Sequence, residues 1–210
     1  MKNKIIFRNI FTILLVIAFS LSAYAQTALT AAQVAQKTSA VISDAKGLYV
    51  SFEINGNGQK GKGVIKGKGN KFIINLPDVS IWYNGKDLFT YNKRTSETTV
   101  VNPTAEELLE SNPLLYVKGA GKNFKYSFSP TKKQGKYVVD LTPNQKSRDI
   151  QKLTFTINSK TFFPEIINVK TGNGDLNINI KELKTSENFS PSIFEYPKNK
   201  FPNVEIVDLR

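Results

Sequence analysis

Seventeen carboxylates, no histidine and no cysteine set the chemistry open to this 210-residue chain. Without imidazole there is no Ser-His or Cys-His nucleophilic pair and no histidine metal ligand; without a thiol there is no thiolate site. Two acids flanking a cleft could still hydrolyse a glycoside. The acids, however, are scattered. Glu106, Glu107 and Glu110 share one short segment that reads as a solvated helix face, and Asp140, Asp175 and Asp208 lack ligand-like spacing. No catalytic residue, metal or cofactor is assigned. Gly56-Asn57-Gly58 and Gly172-Asn173-Gly174 read as hairpin turns and not as phosphate loops, because no helix start follows either one.

What remains is apolar and aromatic, and it lies on strands. Leu48, Val50, Phe52 and Ile54 alternate with Tyr49, Ser51, Glu53 and Asn55. Further strand-like runs cover 61–68, 71–76, 79–83, 87–92, 97–101, 124–128, 136–141, 152–158, 165–171, 175–183 and 204–208. Turn signals such as Leu76-Pro77-Asp78, Asn84-Gly85 and Phe163-Pro164 separate them. Connections this short leave no room for crossover helices, which predicts a meandering antiparallel sheet. Within 60–68, Lys60, Lys62, Lys66 and Lys68 share one parity, while Gly61, Gly63, Ile65 and Gly67 share the other. One face is basic and the other nearly bare, which predicts strong curvature; a frayed edge strand with solvated lysines is the competing reading.

Two helices are expected. Thr30 and Gln33 stand in capping-box register before Val34, Thr38, Val41, Ile42 and Ala45, which fall on one face, and Gly47 stands where a helix is commonly closed. Thr104 and Glu107 open a second, short helix that Asn112-Pro113 stops. Too short to be stable alone, it must lay Leu108 and Leu109 on an apolar surface, with Leu114, Leu115, Tyr116 and Val117 following as a second cluster. A curved sheet with an apolar inner face and so little helix to fill it leaves a concavity, and an unfilled apolar concavity is a ligand site.

The N-terminus carries an export pattern. Lys2, Lys4 and Arg8 precede an apolar run from Ile10 to Leu21, and Ala23-Tyr24-Ala25 offers small residues for cleavage. The run is shorter than the roughly 20 residues a spanning helix needs, so residues 1–25 are expected to be a cleaved signal and 26–210 one domain. No cysteine is present to accept a lipid anchor. Removing the signal takes the net charge from +12 to +9, with 26 basic and 17 acidic side chains. Outside the cytoplasm such a surface suits anionic headgroups or an acidic protein better than nucleic acid; a purely solubilising surface is the plainer reading.

The order of these parts resembles the LolA family of periplasmic outer-membrane lipoprotein carriers. Ile81-Trp82-Tyr83-Asn84-Gly85-Lys86-Asp87-Leu88-Phe89-Thr90-Tyr91-Asn92 is similar to the family's strand, turn and aromatic strand, and Asn112-Pro113-Leu114-Leu115-Tyr116 to its lid. Leu141-Thr142-Pro143, Phe163-Pro164-Glu165-Ile166 and Phe194-Glu195-Tyr196-Pro197 follow in the family's order. The resemblance implies a mainly β (α+β) fold: a half-open barrel made of one strongly curved antiparallel sheet closed by a lid of short helices. It also implies a soluble, monomeric, non-enzymatic chaperone that shelters lipoprotein acyl chains between the inner and outer membranes. Its partners would be outer-membrane-directed lipoproteins, an inner-membrane ATP-driven release complex and an outer-membrane receptor, with no nucleic acid. An envelope domain of the same fold that senses lipid or lipoprotein is the alternative. Phe52, Phe72, Ile74, Ile81 and Tyr83 are expected to line the cavity, and Leu108, Leu109, Leu114 and Leu115 to form its lid. Where the family carries a basic residue and a proline, with an arginine that latches the lid, this chain has Lys68 and Gly69, which makes Lys68 the candidate latch.

Overall fold

The computed structural model describes residues 28–56, 58–112, 114–115, 124–144 and 150–210. The expected export signal lies outside these residues, as do Pro113, Tyr116 and Val117.

Helix α1, Ala31–Ser43, buries Ala31, Val34, Ala35, Thr38 and Ile42 at the spacing expected for one face. The buried hydroxyl of Thr38 donates to the Val34 carbonyl (3.0 Å), which leaves no unsatisfied polar group on that face. Six strands follow: β1 Leu48–Gly56, β2 Gln59–Lys68, β3 Lys71–Asn75, β4 Val79–Tyr83, β5 Leu88–Asn92 and β6 Glu97–Val101. The short helix α2, Ala105–Ser111, comes next. Then come β7 Phe124–Phe128, β8 Lys136–Pro143, β9 Lys152–Asn158, β10 Pro164–Thr171, β11 Gly174–Lys184 and, last, β12 Glu205–Asp208.

All twelve strands join one sheet in the order β12-β6-β5-β4-β3-β2-β1-β11-β10-β9-β8-β7. It consists of two antiparallel meanders, β1 to β6 and β7 to β11, joined where β1 pairs with β11. The period-two reading located these strands closely. One pairing departs from the antiparallel expectation: β12 runs parallel to β6, with Ile206 opposite Thr98. The connection after β11 is long enough to cross the back of the sheet and return in that direction, unlike the tight turns elsewhere.

That connection covers the convex face. Phe194 and Tyr196 are buried against Ile73 and Trp82, with Phe89, Tyr91, Phe189, Ile193 and Phe201 packed around them. The Tyr196 ring stacks on Phe89 at 5.0 Å and meets Trp82 edge-on at 5.4 Å, while its hydroxyl is hydrogen-bonded to that of Thr98 (2.8 Å). Aromatic pairs of this geometry add roughly 0.5–1.5 kcal/mol beyond the area they bury. The segment thus supplies the outer core of β3 to β6.

Gly47 does not close α1 as expected; the helix ends at Ser43. Instead Gly47 bridges Ser186, and the Glu187 N–H donates to its carbonyl (3.0 Å). A Cβ at Gly47 would stand 2.0 Å from the Glu187 carbonyl oxygen, so only glycine lets these two backbones meet. Gly47→Ala should lower unfolding free energy by about 2–3 kcal/mol, measured as a reduced urea midpoint with unchanged slope.

Candidate functional site

Register decides which side chains share the concave face. Gly67 pairs with Phe72, Ile65 with Ile74, Phe72 with Tyr83 and Ile74 with Ile81, while Phe52 pairs with Gly63 across β1 and β2. Phe52, Phe72, Ile74, Ile81 and Tyr83 therefore all stand on one side of the sheet, because strand side chains alternate with period two. The lysines of β2 take the other side, where Lys62 pairs with Glu53 at 3.6 Å and Lys66 lies over the Phe189 ring at 5.8 Å.

On the concave side lies a cavity of about 260 Å³. Phe52, Ile74 and Ile81 line it together with Val50, Ile54, Ile65 and Leu76. The opposite wall is formed by Ile167 of β10 and by Leu176, Ile178 and Ile180 of β11. Ser111 is the one polar lining residue among those described, and its hydroxyl donates back to the Leu108 carbonyl (2.9 Å). The cavity therefore offers an apolar ligand contact area and no directional polar partner.

Not every expected residue reaches this space. Phe72 lines a smaller recess of about 40 Å³ beside it, bounded by Ile42, Leu48, Leu114, Leu115 and the Lys68 to Lys71 turn. Tyr83 lines neither; its ring packs 5.4 Å from that of Phe72. The β10 and β11 wall was absent from the expected set. Alternation of Leu176, Ile178 and Ile180 was visible in the sequence, but their position opposite Phe52 follows only from the pairing of β1 with β11.

Over the cavity sits α2. Thr104 caps it as expected: the Glu107 N–H donates to the Thr104 hydroxyl (3.3 Å), and the Thr104 N–H donates to the Glu107 carboxylate (2.7 Å). Asn112 then redirects the chain. Its side-chain oxygen accepts from the Leu114 N–H (3.1 Å) and its carbonyl accepts from the Leu115 N–H (2.9 Å). Leu114, 3% exposed, is thereby turned into both the cavity and the recess, with Leu115 on the recess alone. Leu108 is half-buried on α2, whereas the side chain of Leu109 lies outside the described residues.

Lys68 borders the recess, but its ammonium donates to the carbonyl of Phe189 (3.2 Å). Parity explains this: Lys68 belongs to the basic face of β2, so it ties down the C-terminal connection. No bond from Lys68 to α2 is present among the described residues.

Residues 21–173 match the model of the family described as outer membrane lipoprotein carrier protein LolA. The chain belongs to this family. Among solved structures, an uncharacterized conserved protein from Thermus thermophilus superposes with a TM-score of 0.57 at 10% identity, over 84% of this chain and 99% of that one. A LolA superfamily protein from Nitrosomonas europaea gives a TM-score of 0.41 at 13% identity, over 80% of this chain and 99% of that one. No curated protein gives a significant match. The first of these structures shares the fold; the family rests on the sequence model.

The cap of α2 is pH-sensitive. The Thr104 N–H, and after it the Thr104 hydroxyl, hold the Glu107 carboxyl below its ordinary value of 4.5. Because folding lowers this pKa, the cap acts in full above the ordinary value and is lost as pH falls through the lower, folded one. Amide exchange in α2, corrected for intrinsic rates, should rise as pH drops below 4.5, and Glu107→Gln should flatten that step.

Proposed function

We propose that this LolA-family chain is an exported, non-catalytic chaperone that binds the acyl chains of lipoproteins and carries them across the periplasm. The observation that supports it is the apolar cavity beneath α2 and Leu114. Each buried methylene contributes about 0.8 kcal/mol, so a multiply acylated protein leaves a membrane only for an equally apolar shelter. An ATP-driven complex in the inner membrane would supply the release, and an outer-membrane receptor would take the cargo. The absence of cysteine from the whole chain suits an unanchored shuttle.

The cavity volume bears on how cargo enters. About 260 Å³ is below the roughly 300–1,000 Å³ in which drug-sized ligands are usually held. A cargo with several acyl chains must therefore displace α2 and the Leu114 and Leu115 turn, which act as the lid. The reciprocal Thr104 and Glu107 cap keeps α2 helical while it moves, since a seven-residue helix has little stability of its own.

Mass spectrometry of the mature protein isolated from its own periplasm tests the reading: co-purified acylated lipoproteins are expected, and free lipid alone would overturn carriage. Leu115→Glu places a charge on the recess; because Leu115 is half-buried the thermal melt should stay near that of wild type, while lipoprotein release from inner-membrane vesicles falls about tenfold or more, since incoming acyl chains would strip water from the carboxylate. Unchanged release would remove the lid assignment.

A further inference from the structure

The cavity has a weak point at its glycine-rich end. Strand β2 is paired with β1 from Gln59 to Gly67, but with β3 only from Val64 to Lys68. Beyond Asn75 the chain leaves β3 and turns through Leu76, Pro77 and Asp78. The lower half of β2 thus faces a turn where the rest of the sheet has a strand, and the hydrogen-bonded wall is interrupted there.

On the outer side of this interruption lies an open trough of about 520 Å³. Its floor includes Phe52, Gly63, Leu76 and Pro77, and Lys62 and Lys181 stand on its rim. Both lysines pair with Glu53, at 3.6 and 2.9 Å, and stand exposed at the margin of the trough. Phe52 and Leu76 line the trough and the inner cavity alike. They are the partition between the two spaces.

Gly63 is where that partition closes. A Cβ at Gly63 would stand 2.3 Å from the Phe52 Cζ and 2.8 Å from the Leu76 Cδ2, so both side chains lean over a residue that has none. Leu76 is half-buried and borders the open trough, where side-chain bonds rotate rapidly, so it is the part of the partition that can swing aside. The turn backbone, by contrast, is tied: the Leu76 N–H donates to Val79 (2.8 Å), the Lys93 N–H to Asp78 (2.9 Å) and the Lys93 ammonium to Pro77 (2.8 Å).

We propose that the gap between β2 and the β3–β4 turn is a second mouth of the cavity, gated by Phe52 and Leu76, through which the distal end of a long acyl chain passes into the outer trough. The proposal rests on the lipid-binding reading and adds a chain-length specificity to it. An inner space of about 260 Å³ receives a short chain whole; a long chain continues over Gly63 to the trough beyond.

Titration calorimetry with laurate and stearate separates the two readings. Wild type should bind both, with stearate tighter. Asn75→Trp, which fills the outer trough from an exposed position that lines that space and not the inner cavity, should weaken stearate about tenfold, equivalent to about 1.4 kcal/mol, and leave laurate within about twofold. Equal weakening of both, or of neither, in a variant with wild-type circular dichroism would overturn the second mouth while leaving lipid binding intact. Failure of wild type to bind either acid would overturn the lipid-binding reading and this one with it. A measurement that needs no variant places a nitroxide on the terminal carbon of each acid. Bound stearate should be relaxed by a water-soluble nickel chelate and bound laurate shielded; a shielded stearate terminus would overturn the proposal.

Discussion

The antiparallel pairing of β1 with β11 is the constraint on which the rest of the molecule depends. Each meander alone is an open sheet with an uncovered apolar concave face; zipped together they bring Val50 opposite Leu183 and Ile54 opposite Ile178, and a shared apolar wall results. A register shift between Ser51 and Phe52 interrupts this seam. Such a bulge bends the strand and increases its twist, and here it falls at the residue that lines both the inner cavity and the outer trough. An irregularity in the seam and the site thus coincide at Phe52.

The two faces of the sheet are filled unequally. The convex face of β3 to β6 receives an aromatic core from the chain's own C-terminal connection, in which Phe194 is 1% exposed. The concave face receives α1, the short α2 and Leu114, and space is left over. Interiors are normally packed to crystal-like density, so an unfilled apolar space forgoes contacts that would stabilise the fold. The wall residues come from rigid strands. The cover, by contrast, is held by a helix cap and one asparagine turn.

Much of this was legible in the sequence because strands write their parity directly. The lysine and glycine alternation of β2 assigned its two faces, and the Thr104 and Glu107 spacing located α2 and its cap. What escaped depends on long-range partners. Gly47 looks like a helix stop, yet its role is set by Glu187, far along the chain. Lys68 looks like a latch for the lid, yet its face of β2 directs it to Phe189. Trp82 and Ile81 are equally apolar neighbours, and nothing local says that Trp82 meets Tyr196 while Ile81 meets the cavity. Leu176, Ile178 and Ile180 were readable as a strand face but not as the far wall of the site.

Strand β12 also governs how the molecule meets other copies of itself. Without it, β6 would present five residues of unpaired backbone, and its Thr98, Thr99 and Val100 are good material for edge-to-edge pairing. By laying Glu205–Asp208 along that edge, the chain replaces it with a strand of four residues that begins and ends in an exposed acid. Short, charged edges disfavour sheet extension between molecules. A protein with an apolar cavity has a built-in tendency to self-associate, and β12 acts as a guard against aggregation.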